Sequence, residues 1–213
     1  MNSRLIKVCG MREADNIRQV EALGIDWLGF IFWPKSSRFV HERPTYLPAS
    51  AKRVGVFVDA DIEVVRETAA AYCLDIIQLH GKESPSYIKQ LRSLFSDHVA
   101  VIIKAFNIAT PEDLKQTEPY EGATDYFLFD TKAKMVGGNG TQFDWTVLND
   151  YQGNTPFILS GGIGPDDAEK VKAFHHPMLA GIDLNSRFET VPAHKDVNLL
   201  RTFIETIKNE NNE

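Results

Sequence analysis

Tyr126-Phe127-Leu128-Phe129-Asp130-Thr131 is a short apolar run that stops on a carboxylate, and its pattern recurs along the chain. Five comparable runs precede it: Leu5–Cys9, Trp27–Phe32, Arg53–Val58, Ile76–His80 and Val99–Phe106. Two follow, Pro156–Ser160 and Ala180–Leu184. Their starts fall about every 25 residues, with amphipathic segments between them. Those segments predict helices at Ala14–Ala22, Ile62–Ala71, Pro85–Phe95, Pro111–Gln116, Asp166–Phe174 and about Asp196–Lys208. Strand, crossover, strand in repetition implies a parallel sheet. Eight such strands closing on themselves leave no unpaired edge, which favours a single (β/α)₈ barrel spanning residues 1–213 over an open sheet. The second crossover is the weak point, because Arg43-Pro44-Thr45-Tyr46-Leu47-Pro48 leaves room for barely one turn.

Composition narrows the class. The chain of 213 residues is 43% hydrophobic and 24% charged, ordinary for a folded domain and short for a barrel of this kind. Twenty-three Lys and Arg against 29 Asp and Glu give a net charge of −6, which offers no general attraction to nucleic acid or anionic lipid. Two cysteines, Cys9 and Cys73, are too few for a disulfide scaffold and point to a reducing cytoplasm. No apolar run nears the roughly 20 residues a bilayer span needs. Strand signal begins at Leu5, so no signal peptide is expected.

In such a barrel the chemistry lies at the C-terminal ends of the strands. Cys9 closes the first and is followed by Gly10. It reads either as a small buried hydrophobe or as a base whose thiol must be lowered by a neighbouring cation, Lys7 being on the same strand face. Asp130 closes the sixth, and reads as a loop hydrogen-bond acceptor or as a general acid. Glycine segments follow strand six (Gly137-Gly138-Asn139-Gly140) and strand seven (Ser160-Gly161-Gly162-Ile163-Gly164), and Asp183-Leu184-Asn185-Ser186 follows strand eight. In barrels the loops after strands seven and eight often hold phosphate, so a phosphorylated small molecule is the expected ligand. Arg38, in Trp33-Pro34-Lys35-Ser36-Ser37-Arg38-Phe39-Val40, suits bidentate binding of a carboxylate or belongs to a solvated loop. His80, in Gln78-Leu79-His80-Gly81, is either structural or part of the site, and Cys73 reads as core. No spacing suggests a metal, and no nucleotide-binding motif is present, so no cofactor is expected.

Taken together these segments resemble the phosphoribosylanthranilate isomerase family of tryptophan biosynthesis. The likeness rests on Lys7-Val8-Cys9-Gly10, Leu28-Gly29-Phe30-Ile31-Phe32, Ser36-Ser37-Arg38-Phe39-Val40, Arg53-Val54-Gly55-Val56-Phe57-Val58 and Gln78-Leu79-His80-Gly81. It continues through Phe129-Asp130-Thr131, Gly137-Gly138-Asn139-Gly140, Phe143-Asp144-Trp145, Ser160-Gly161-Gly162-Ile163, Gly181-Ile182-Asp183 and Lys195-Asp196. The resemblance implies a cofactor-free Amadori rearrangement of N-(5-phosphoribosyl)anthranilate, with Asp130 as general acid and Cys9 as general base. It places Arg38 at the anthranilate carboxylate, and Gly161, Gly162, Asp183, Asn185 and Ser186 at the phosphate, with Gly138 and Gly140 nearby. Lys7 and His80 are expected among the substrate contacts, and the protein as a monomer or homodimer. Asn185-Ser186-Arg187-Phe188-Glu189 departs from the family's usual Ser-Ser-Gly-Val-Glu, Pro192-Ala193-His194 from its Pro-Gly, and Asn139 from a common threonine. Two other readings stay open: a phosphate-binding lyase or aldolase forming a Schiff base on Lys7 or Lys104, and a barrel that binds a phosphorylated metabolite without converting it.

Overall fold

The computed structural model describes residues 4–95, 101–131 and 145–208. Eight parallel strands form a closed barrel: β1 (Leu5–Val8), β2 (Trp27–Ile31), β3 (Lys52–Phe57), β4 (Ile76–Leu79), β5 (Val101–Ile108), β6 (Tyr126–Thr131), β7 (Phe157–Ser160) and β8 (Leu179–Leu184). β8 pairs back onto β1 with Lys7 opposite Asp183, so every strand has two neighbours. The strands start and stop within two residues of their expected places. β5 runs on to Ile108, two residues past the expected Phe106.

The interior is filled in layers. Trp27 and Tyr126 meet edge to face near the bottom, their rings 5.4 Å apart. Val54, Ile76, Ile103, Leu128 and Ile158 fill the middle. Between the barrel and its outer layer lies a larger apolar shell, in which Phe127, Phe129, Phe157 and Tyr151 make tilted and edge-to-face contacts.

The crossovers are lean. They include α1 (Ala14–Glu21), α2 (Ile62–Tyr72), α3 (Pro85–Leu94), α4 (Ala168–Ala173) and α5 (Val197–Lys208). The fifth crossover is a 3₁₀ helix over Pro111–Tyr120, longer than the expected Pro111–Gln116, and Trp145–Asp150 forms another before β7. α3 starts where Ser84 accepts a hydrogen bond from the Tyr87 N–H at 3.2 Å and Pro85 presets the first turn. α2 ends on Cys73 in the left-handed region, φ 48°; its thiol is exposed rather than in the core, as the sequence had suggested.

The second crossover contains no helix at all. A single carboxylate organises it. Glu21, at the end of α1, accepts from the Tyr46 hydroxyl, from the Ser50 hydroxyl and from the N–H groups of Ala49, Ser50 and Ala51, at 2.5 to 3.0 Å. Burial alone would raise this carboxyl; the hydrogen bonds from Tyr46, Ser50 and Ala51 outweigh it and hold it at about 2.

A second device repeats three times at the barrel's N-terminal rim. Asp26, Asp75 and Asp125 each sit immediately before or just ahead of an even-numbered strand. Each donates its N–H to the carbonyl of a residue on the preceding strand and accepts that same residue's N–H on its carboxylate. The partners are Ile6, Arg53 and Ile102, with N–H to carboxylate distances of 2.8, 2.8 and 2.7 Å. Beyond β8 the chain forms a small hairpin absent from the sequence reading, β9 (Glu189–Val191) and β10 (His194–Lys195).

Candidate active site

At the C-terminal mouth of the barrel lies a cavity of about 210 Å³. Its wall includes Cys9, His80 and Asp130, together with Gly161, Gly162, Asn185 and Ser186. Ser160 and Asp183 complete its polar floor, while Ile31, Val56 and Ile163 supply apolar surface. The expected acid and base therefore open on one space, although they lie on β6 and just past β1.

Cys9 follows the last residue of β1, its N–H donating to the Leu184 carbonyl at 2.9 Å. It is 3% exposed. Gly29 on the neighbouring strand makes room for it: a Cβ there would sit 2.7 Å from the sulfur. Any side chain at position 29 would displace the thiol. Below Cys9, Lys7 is fully buried and donates to Asp183 at 2.9 Å. Burial works against the ammonium, yet Asp183 and Cys9 raise it above its ordinary value, so Lys7 is charged.

This arrangement corrects one expectation. Lys7 does pull the Cys9 thiol down, as does Lys195, but burial is the larger effect and Asp183 adds to it, so the thiol is raised. In the open pocket Cys9 is mainly a protonated thiol. Lys7 also has no surface on the cavity, so it meets a ligand only through Cys9 and Asp183.

Asp130 extends from the end of β6, a quarter exposed, with its carboxylate 3.6 Å from Nε2 of His80. Gln78 lies two residues before His80 on the same inward face, and its amide nitrogen is 3.0 Å from His80 Nδ1. The two side chains form one hydrogen-bonded pair beside Asp130. Sequence reading singled out His80 but not Gln78, although the two share the motif.

Gly161 and Gly162 have φ of +87° and +69°, conformations that a residue with a Cβ adopts poorly. No atom lies within 4 Å of where a Gly162 Cβ would be, so the backbone faces open space. Ser186 opens a short 3₁₀ turn, Ser186–Phe188, beside them. Glycine backbone of one loop and a turn of another bordering one cavity are a setting for a phosphate. Gly138 and Gly140, along with the rest of 132–144, lie outside the described residues.

Arg38 packs against Gly10, outside the residues that line the cavity, and it is already engaged. Its Nε donates to both carboxylate oxygens of Glu189 at 2.9 and 3.0 Å, and its Nη2 to Oε2 at 2.6 Å. Sequence reading gave Glu189 no role, because only folding joins it to a residue 151 positions away. Lys104, the other Schiff-base candidate, faces outward from β5. Its ammonium donates to the carbonyls of Leu79, Gly81 and Ala105 and lies 3.4 Å from Glu83, away from the cavity. Among the described residues no group of three His, Cys, Asp or Glu could hold a metal ion, and no helix is long and apolar enough to cross a membrane.

Comparison with known proteins agrees with this geometry. Residues 6–206 match the family model described as N-(5'-phosphoribosyl)anthranilate isomerase. The chain is 52% identical over 209 residues to the protein of that name from Parabacteroides distasonis, covering 95% of this chain and 93% of the relative. It is 48% identical to that from Phocaeicola vulgatus, over 96% and 98%. Among solved structures, a phosphoribosyl anthranilate isomerase in complex with reduced 1-(o-carboxyphenylamino)-1-deoxyribulose 5-phosphate superposes with a TM-score of 0.77, at 25% identity, covering 96% of this chain and 98% of that one. The match runs from β1 through α5 and takes in both Cys9 and Asp130: the chain belongs to the N-(5'-phosphoribosyl)anthranilate isomerase family.

Proposed function

We propose that the chain converts N-(5-phosphoribosyl)anthranilate to 1-(2-carboxyphenylamino)-1-deoxyribulose 5-phosphate in tryptophan biosynthesis, with Asp130 as general acid and Cys9 as general base. One observation carries the assignment: both groups line the same cavity as the glycine turn after β7 and the Asn185-Ser186 turn after β8.

The proton account runs in three steps. Asp130 gives a proton to the ring oxygen as the bond from C1′ to that oxygen breaks, and the nitrogen lone pair forms an iminium. Cys9 then removes the C2′ proton, and the released pair makes the enolamine and neutralises the nitrogen. Finally C1′ takes up a proton and the C2′ hydroxyl gives one up, leaving the ketone and restoring both groups. The iminium matters for Cys9. The cycle starts from the Cys9 thiolate, its proton released to solvent before ring opening, and an iminium forming beside it favours that form. Each such group contributes about 10²–10⁴-fold. The phosphate sits at Gly161, Gly162, Asn185 and Ser186, and Arg38 receives the ring carboxylate.

The same reading makes the protein a single barrel domain, acting in the cytoplasm as a monomer or homodimer without a cofactor. Both cysteines being free supports that compartment. The test is growth without tryptophan in cells lacking this isomerase. The wild-type chain restores growth and Cys9→Ala does not; restoration by both would remove Cys9 from the mechanism. A lysine adduct trapped by borohydride would instead favour Schiff-base chemistry.

A further inference from the structure

The β9–β10 hairpin carries two charged side chains that take no direct part in the proton transfers. Glu189 is 5% exposed in its side chain and Lys195 is fully buried. Lys195 Nζ donates to Glu189 Oε1 at 2.6 Å and to Asn185 Oδ1 at 2.8 Å. The Ala193 N–H adds a bond to Glu189 at 3.2 Å. Burial would raise the Glu189 carboxyl, but Arg38 and Lys195 outweigh it and hold it ionised. The hairpin is itself fixed: Asn16 of α1 accepts from the Lys195 N–H at 2.8 Å and donates to the Lys195 carbonyl at 2.9 Å.

This array lies against the catalytic end of β1. A Cβ on Gly10, the residue after Cys9, would come within 2.7 Å of Arg38 Cδ, 2.9 Å of Asn185 Oδ1 and 3.5 Å of Lys195 Nζ. Two cations and one anion leave a net positive charge beside the thiol.

A guanidinium has two edges that can read a carboxylate, one formed by Nε and Nη2 and one by Nη1 and Nη2. Glu189 takes the first. Among the described residues nothing bonds Nη1. With Nε and Nη2 anchored to a buried carboxylate, the guanidinium plane is fixed and its outer edge is left for a second carboxylate. An arginine on a loop without that anchor would lose rotamer freedom on each binding event.

We infer that Glu189 and Lys195 are positioning residues that orient Arg38 toward the substrate carboxylate. The inference rests on the assignment of Arg38 to that carboxylate. Glu189 would set the direction of the fork, and Lys195, pinned by Asn16, would set the position of Glu189.

The experiment compares the natural substrate with an analogue in which aniline replaces anthranilate, so that only the carboxylate is missing. Arg38→Ala tests the underlying assignment: the preference for the carboxylated substrate in kcat/KM should collapse. Glu189→Gln keeps the volume but puts an N–H where Lys195 or Arg38 needs an acceptor. It should raise KM for the natural substrate at least about tenfold, lower kcat less, and leave KM for the analogue nearly unchanged. Glu189→Asp keeps the charge but shortens the reach, and should give a weaker form of the same pattern. It also stands in if the Gln variant fails to fold, as judged by circular dichroism. Lys195→Met should follow Glu189→Gln.

If Arg38→Ala loses the preference while the Glu189 and Lys195 variants keep it, the positioning role is overturned and the Arg38 assignment stands. A lower KM in Glu189→Gln would also overturn it, by showing that Glu189 competes for Arg38. If Arg38→Ala keeps the preference, the assignment itself falls.

Discussion

β6 carries an aspartate at each end, and they do opposite work. Asp125, just before the strand, binds the Ile102 N–H at 2.7 Å and the Arg92 guanidinium at 2.6 Å. Asp130, near its far end, faces a cavity, and among the described residues the basic nitrogen beside it is His80 Nε2, 3.6 Å away. The first carboxylate is bound into the fold, and the second lines the cavity. The same contrast holds around the barrel. The N-terminal rim repeats one satisfied pattern at Asp26, Asp75 and Asp125, whereas the C-terminal rim differs at every strand. A repeated, satisfied group reads as architecture; an unrepeated one on a cavity reads as chemistry.

The largest way to test this contrast is at the upper rim. Cys9→Ala should lower kcat by about 10²–10⁴-fold, with thermal stability close to wild type. A variant that kept near-normal kcat would show that the open groups are not the chemical ones. The lower half has its own strongest element in Glu21. Glu21→Ala leaves five donors, one of them buried and the others part-buried, without their acceptor and should cost about 3 kcal/mol in denaturant unfolding while sparing kcat. Its pH signature has a definite sign. The folded-state carboxyl lies at about 2, below its ordinary value, so this stabilisation is present above the ordinary carboxylate range and is lost as pH falls toward 2. Acid unfolding of Glu21→Gln should lack that component.

Smaller effects sharpen the comparison. Because burial raises the Cys9 thiol, and the base acts deprotonated, kcat/KM of the free enzyme should keep rising with pH beyond the ordinary thiol value of about 8.5. Lys7→Met removes a charge that favours the thiolate and should move that limb further to the alkaline side. A limb moving the other way would contradict the electrostatic account. At the lower rim, Asp26→Ala and Asp75→Ala should each cost about 1 kcal/mol, seen as a shift in the urea midpoint with unchanged kcat.

Sequence alone made the strands legible, because each is a short apolar run whose partners are its immediate neighbours in chain order. Cys9, Asp130 and the Gly161-Gly162 turn were visible for the same reason: they stand where such runs stop. The second crossover was visible only as a gap, since its organiser, Glu21, holds residues up to 30 positions away. The β9–β10 hairpin was missed because Glu189-Thr190-Val191 is too short for a period-2 pattern, and its purpose depends on Arg38. The lower-rim aspartates did carry a signal, an Asp at the head of three strands, but without knowing that odd and even strands pair at that height it reads as ordinary turn composition. The state of Cys9 was out of reach for a different reason. It depends on a balance between burial and the field of Lys7, Asp183 and Lys195, whose outcome only three-dimensional placement decides.

The most direct measurement sets the two ends of β6 against each other. Asp125→Ala and Asp130→Ala are made separately, and kcat and Tm are recorded for both. The account predicts that Asp130→Ala lowers kcat at least about 100-fold with little change in Tm, while Asp125→Ala keeps kcat and loses about 4 °C in Tm. Near-normal kcat in Asp130→Ala, or a loss of activity in Asp125→Ala at full stability, would contradict it.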